Sequence, residues 1–359
     1  TGASFAPSNS TFLFTGSSAT NIATATYNNV TVSSTGVVFT FAGDTTLNGD
    51  LTVTAGTASS SNSINVYGGD VTGNGTINAS STFTVASSTG NFGGSTAWTF
   101  YNLTFGNTTT YTTTAIGSGG IRVNNKLFII GSHTLNAGGK IWTIGGVNLT
   151  PFQMNGTLTP ATSTFVFSQN PSSGNITIEG NGNDINFYNF TASSSGKTFL
   201  LTGRTWVNNN LEITTSTTLR DPGSSKAFYV GGNWLTNGTF THNSGTVTFV
   251  ASSTGKTIAP GSSDFNNVAF SSPSGGWSFN ATPTIAGDLT MTTGTLSGTV
   301  NITVQGGDVT GNGIISLTSG TFTVSSTGNF GGSSAWTFDD LTFSGASATT
   351  TATGTGSVA

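Results

Sequence analysis

The sequence predicts an all-β protein, a parallel β-solenoid (a single-stranded β-helix), and three observations carry that prediction. Short runs alternate apolar and polar residues with period two. Turn residues punctuate these runs about every 12 positions. The whole pattern then recurs at two longer scales, as it does in architectures made by stacking one supersecondary unit on the next.

The strands come first. Phe39-Thr40-Phe41, Leu51-Thr52-Val53, Ile64-Asn65-Val66, Phe83-Thr84-Val85, Trp98-Thr99-Phe100 and Leu103-Thr104-Phe105 each set two apolar residues on one face and a polar one on the other. Gly, Asn, Asp and Ser between the runs supply turn geometry, and no segment sustains a helical period.

The repeats come next. The block GGDVTGNGTINASSTFTVASSTGNFGGSTAWTFYNLTF, from Gly68 to Phe105, returns as GGDVTGNGIISLTSGTFTVSSTGNFGGSSAWTFDDLTF, from Gly306 to Phe343. A slide of 238 positions also sets Tyr27-Asn28-Asn29-Val30 on Phe265-Asn266-Asn267-Val268 and Trp98 on Trp336, so residues 1–121 repeat as 239–359. Inside this long unit lie degenerate cassettes of 73 to 87 residues, over approximately 27–99, 100–186, 187–264 and 265–337, with partial cassettes 1–26 and 338–359. Each opens on an aromatic residue followed by Asn, Asp or Tyr, then carries a Leu strand such as Leu51, Leu127 or Leu211 and a Gly at Gly68, Gly145 or Gly231. The chain, 1–359, is read as one continuous repeat solenoid and, because it begins and ends mid-pattern, as a stretch of a longer repetitive polypeptide.

Tandem β-sandwich domains are the alternative for many short strands. Three features favour the solenoid. Cassette length varies without loss of pattern, as it can when each coil touches only its neighbours. The pairs Asn28-Asn29, Asn124-Asn125, Asn208-Asn209 and Asn266-Asn267 stand at strand entrances, where stacked amides can bond between coils and left-handed backbone is tolerated. The apolar face is narrow and repeated. Two strands per roughly 24 residues give about three coils per cassette.

Composition bounds the function. Charged residues make up 6% and hydrophobic ones 34%, with 26 Phe and 51 Gly in 359 residues, so the chain can bury a core while hydroxyls and amides keep its surface wet. A net charge of −4 with 8 Lys+Arg offers no basic stripe for nucleic acid and no grip on an anionic membrane. No apolar run reaches the roughly 18 residues of a membrane span, which argues against insertion. Zero Cys rules out disulfides and thiol chemistry. Few charges, no thiol and abundant Thr, Ser, Asn and Gly point to an extracellular or cell-surface protein.

The residues that could carry chemistry read as architecture. Asp44, Asp50, Asp70, Asp264, Asp288 and Asp308 fall in turns, and the pair Asp339-Asp340 replaces Tyr101-Asn102 of the other copy. Arg122, Arg204 and Arg220 have no recurrent acidic neighbour, so no polysaccharide-cleaving set is assembled. His133 and His242 read as isolated loop histidines. The turn Gly68 to Gly75 offers a cation one carboxylate, Asp70, where a Ca²⁺ turn needs several oxygens. Trp98, Trp277 and Trp336 read as core rather than as a sugar-stacking platform, and Thr52 with Thr54 or Thr82 with Thr84 imply no flat Thr array. The 13 Asn-x-Ser/Thr sequons are about what this composition gives by chance. The expectation is no enzyme, no catalytic, cofactor or metal site, and no cofactor.

The run Phe265-Asn266-Asn267-Val268, Ala286-Gly287-Asp288-Leu289-Thr290-Met291, Val304-Gln305-Gly306-Gly307-Asp308, Gly311-Asn312-Gly313 and Gly320-Thr321-Phe322-Thr323-Val324 resembles the repeats of long bacterial extracellular surface proteins with β-helical shafts, adhesins and fibre proteins among them. The resemblance implies a structural protein, a protomer or stretch of a self-assembling filament or adhesin stalk whose partner is itself. A β-helical module binding surface glycans is the alternative, and a polysaccharide-acting enzyme comes third. Thr1 to Ser10 and Ser344 to Ala359 are small and polar with no amphipathic helix, so end-to-end association through uncovered strand edges is expected.

Overall fold

The computed structural model describes residues 8–86, 90–107 and 110–359. Residues 1–7 of the amino-terminal stretch read above as uncapped lie outside the described residues, as do 87–89 of the repeated block. Among the described residues there is no helix, and the strands pair in parallel with strands one coil away. Sandwich neighbours run antiparallel, so this pairing is that of a parallel β-solenoid. The chain divides into two compact units, Thr1–Ile185 and Asn186–Ala359.

In the first unit the six period-two runs fall within strands Asn29–Phe41, Leu51–Ser60, Ile64–Val66, Thr76–Val85 and Trp98–Phe105. Their apolar residues form columns through the coils. Tyr27, Leu47, Val66, Val85, Phe105, Ile129 and Met154 pair in succession, and none is more than 5% exposed. Thr46, Asn65, Thr84 and Thr104 alternate with them and face outward. A slip of one residue would exchange that apolar column for the polar one, so burial fixes the register. Phe92 lies where these columns meet, with ring centroids 5.4 Å from Trp98, 5.7 Å from Phe100, 5.1 Å from Phe105 and 6.4 Å from Trp142.

The coils here are shorter than the sequence suggested. Asn29, Asp50, Asp70 and Asn91 mark successive corners 20 or 21 residues apart rather than about 24. Long strands such as Asn29–Phe41 bend at register shifts instead of ending in a turn, which saves residues at one corner. Where the step grows to 25 or 26 residues, between Leu127 and Phe152 and between Phe152 and Ile178, the extra length goes into turns.

The second unit stacks in the same way. Val207, Val230, Phe249, Phe270 and Met291 form one buried column. Its last coils repeat the first unit's register: Val268–Leu289–Val309–Phe330 copies Val30–Leu51–Val71–Phe92. Phe330 contacts Trp336, Phe338 and Phe343 at 5.4, 6.0 and 5.1 Å, the relatives of the rings around Phe92. Gly73 and Gly311 also correspond. Their φ angles are 132° and 131°, and a Cβ on either would lie 2.1 Å from the carbonyl oxygen of Val53 or Met291 in the preceding coil, so only glycine fits. Within Ser344 to Ala359, Thr350–Ala352 forms a short strand on Gly328–Phe330.

Candidate functional site

The most regular polar feature is a ladder of Asn and Asp side chains at one corner. Asn29 Oδ1 accepts the Asp50 N–H at 2.8 Å, Asp50 Oδ1 the Asp70 N–H at 2.7 Å, and Asp70 Oδ1 the Asn91 N–H at 2.8 Å. In the second unit Asn267, Asp288, Asp308 and Asn329 repeat this at 2.8 Å throughout. A third ladder runs through Asn189, Asn210, Asn233 and Thr257. The amides expected to bond between coils do so at Asn102–Asn125, 2.6 Å, and Asn189–Asn209, 2.9 Å, although the usual acceptor role is toward backbone N–H. Left-handed backbone occurs at Asn181 and Asn243 rather than at the entrance pairs.

Stacking brings together carboxylates that the sequence shows far apart. Asp50 lies one coil from Asp70, and Asp288 one coil from Asp308. The separation of adjacent strands, about 4.8 Å, is near that of a retaining glycosidase pair. These oxygens serve the coils instead. Both oxygens of Asp70 are bonded to Asn91, and those of Asp308 to Asn329. The Asn329 hydrogen bonds, backbone first, hold the Asp308 carboxyl below the usual carboxylate range, whereas a general acid needs a raised one. With Asp70 so committed, its turn works as a corner of the coil, and EDTA should leave the thermal midpoint of unfolding unchanged; a marked drop would reinstate a Ca²⁺ role. Asp70→Ala should cost about 1–2 kcal/mol by stranding the Asn91 donors, and Asp70→Asn should retain most of that, as chemical denaturation would register.

The remaining sequence candidates are dispersed. Arg122 bonds Asn124 at 2.8 Å and Arg220 bonds Asn243 at 2.6 Å. His242 occupies a turn, where its Nδ1 accepts the Ser244 N–H. His133 corrects the loop assignment. It lies in strand His133–Asn136, 1% exposed, with Nε2 at 2.9 Å from Thr113 Oγ1 and its ring stacked on Phe105. Burial lowers its pKa to about 4. Trp98, Trp277 and Trp336 are core residues, and so are Trp142 and Trp234. Thr52 belongs to an in-register column Thr31–Thr52–Thr72 that is only three rungs long before Gly93 replaces it.

Two further buried ionisable groups escaped the sequence reading. Lys140, 1% exposed, donates to the Gly119 carbonyl at 2.7 Å and the Gly94 carbonyl at 3.3 Å, and burial lowers its pKa. Asp221, 2% exposed, accepts the Gly223 N–H, and burial, partly offset by that bond, raises its pKa to about 7. Of the six tryptophans, Trp206 alone stays out of the core. It is half-buried on the outer face and stacks on Tyr229 at 3.8 Å with 15° between ring planes. The signal was present, since both aromatics occupy the middle, outward position of a period-two triplet, Thr205-Trp206-Val207 and Phe228-Tyr229-Val230. Around the corner opens a cleft of about 330 Å³ that starts on the same two coils and runs on past Thr257 to Asn280.

Compared with known protein families, curated proteins and solved structures, the chain matches none.

Proposed function

We propose that the chain is a structural extracellular protein, a protomer or stretch of a self-assembling filament or adhesin stalk. The observation that carries this reading is the duplicated corner ladder: all four rungs that fasten one coil to the next, Asn29–Asp50–Asp70–Asn91, recur as the same residues in Asn267–Asp288–Asp308–Asn329. Repetition is spent on stacking rather than on a constellation of reactive side chains. Any solenoid coil offers strand edges that another copy can extend, which is the chemistry of homopolymer growth.

With 6% charged residues, such assemblies should persist from low salt to about 1 M, because screening acts only on charges that exist. The test of the reading is immunogold labelling of intact source cells with antibody against this chain. Label along surface filaments or stalks is the expected result; label confined to the cell interior would overturn it.

A further inference from the structure

The cleft on the second unit has a physical origin in the ladder beside it. Glu212, Leu235 and Ala259 are register partners on successive strands, so the outward side chains shrink along the column and leave a hollow. One wall is the corner ladder, with Asn210, Asn233 and Thr257 at the lining, and Asn280 lines the cleft beyond Ala259. Asn210 Oδ1 accepts the Asn233 N–H at 3.0 Å, and Asn233 Oδ1 accepts the Thr257 N–H at 2.9 Å. The side-chain carbonyls are therefore committed to the coils, while the two NH₂ groups have no protein partner among the described residues. Leu235, 40% exposed, gives an apolar floor, and Glu212 is the one charge of the lining.

We propose that this cleft binds an uncharged, extended β-linked glycan. The amide donors repeat along the cleft at the strand spacing of about 4.8 Å, close to the rise per sugar of an extended pyranose chain. Sugar hydroxyls accept from these donors and donate to Glu212, and the C–H face of a ring lies on Leu235. Anionic sugars meet a carboxylate and no cation, which selects against uronates. Trp206 and Tyr229 precede Asn210 and Asn233 by four residues, so the aromatic pair stands on the same two coils and can meet a chain that leaves the cleft. A cleft of about 330 Å³ is at the small end for ligand sites, which suits one or two sugars held at a time. The proposal is independent of the shaft reading and adds a site to it.

The test is calorimetric titration of the 359-residue chain with the hexasaccharide of β-1,4-linked glucose, and with hexagalacturonate as the charged control. The double variant Asn210→Asp/Asn233→Asp keeps the acceptor oxygens, replaces each free donor with a carboxylate oxygen and adds two negative charges. Asp50 and Asp70 already fill equivalent ladder positions, so the coils accept the change. Leu235→Ser, at an exposed position, is the second variant. Expected are binding of the neutral hexasaccharide, weaker binding of the charged one, and a loss of about tenfold or more in either variant at unchanged thermal midpoint. No heat from the neutral hexasaccharide at millimolar concentration, equal or tighter binding of hexagalacturonate, or wild-type affinity in the variants would each overturn the proposal.

Discussion

Phe92→Ala should remove about 3–5 kcal/mol of stability, and Phe330→Ala a similar amount, because each ring fills the space between several coils. Phe92 is fully buried among Trp98, Phe100, Phe105 and Trp142, and Phe330 is 4% exposed among Trp336, Phe338 and Phe343. A solenoid core is one strand pair wide, so few neighbours can move in to close the hole. Urea denaturation of the two variants measures the loss. A loss below about 1 kcal/mol in both would mean that the columns do not carry the stability assigned to them.

Acid and base should act on the two units in opposite directions. His133 has its pKa lowered by burial to about 4 from 6.5, so the unfolded chain takes up a proton that the folded one refuses between those values. Stability from this group is complete above pH 6.5 and is lost as pH falls toward 4, by on the order of 3 kcal/mol. Asp221 has its pKa raised by burial from 3.8 to about 7. Its contribution is complete below pH 3.8 and is lost as pH rises toward 7, by on the order of 4 kcal/mol. His133→Leu should therefore gain on the wild type between pH 7.5 and 4.5, and Asp221→Asn should lose its advantage over the same interval. Differences that stay constant with pH would contradict both assignments.

These groups show where the sequence was legible. The strands and their register could be read because apolar residues at alternate positions leave one face to bury, as in Leu51-Thr52-Val53. The duplicated core was readable because Trp98 and Trp336 recur with their neighbours. The coil length was not, since it depends on bends inside strands such as Asn29–Phe41, where Ser34-Thr35-Gly36 reads as a turn that ends a strand although the strand runs on through it. The buried ionisable groups needed the same alternation applied to charged residues. His133 is two positions from Leu135, Lys140 two from Trp142 and Asp221 two from Leu219, each on the buried face, while Ile141 is 56% exposed. Reading charge as a mark of surface hides this. The cleft beside Asn210 and Asn233 depends on a decline in side-chain size across strands 23 or 24 residues apart, which no local window contains.

We propose that the stacked coil is the working part of this protein and that copies extend one another. Sedimentation velocity on the purified 359-residue chain, as a concentration series into the high micromolar range, tests it most directly. A weight-average sedimentation coefficient that climbs with concentration, and is unaffected by salt to about 1 M, is the predicted result. A single monomer boundary throughout would contradict it.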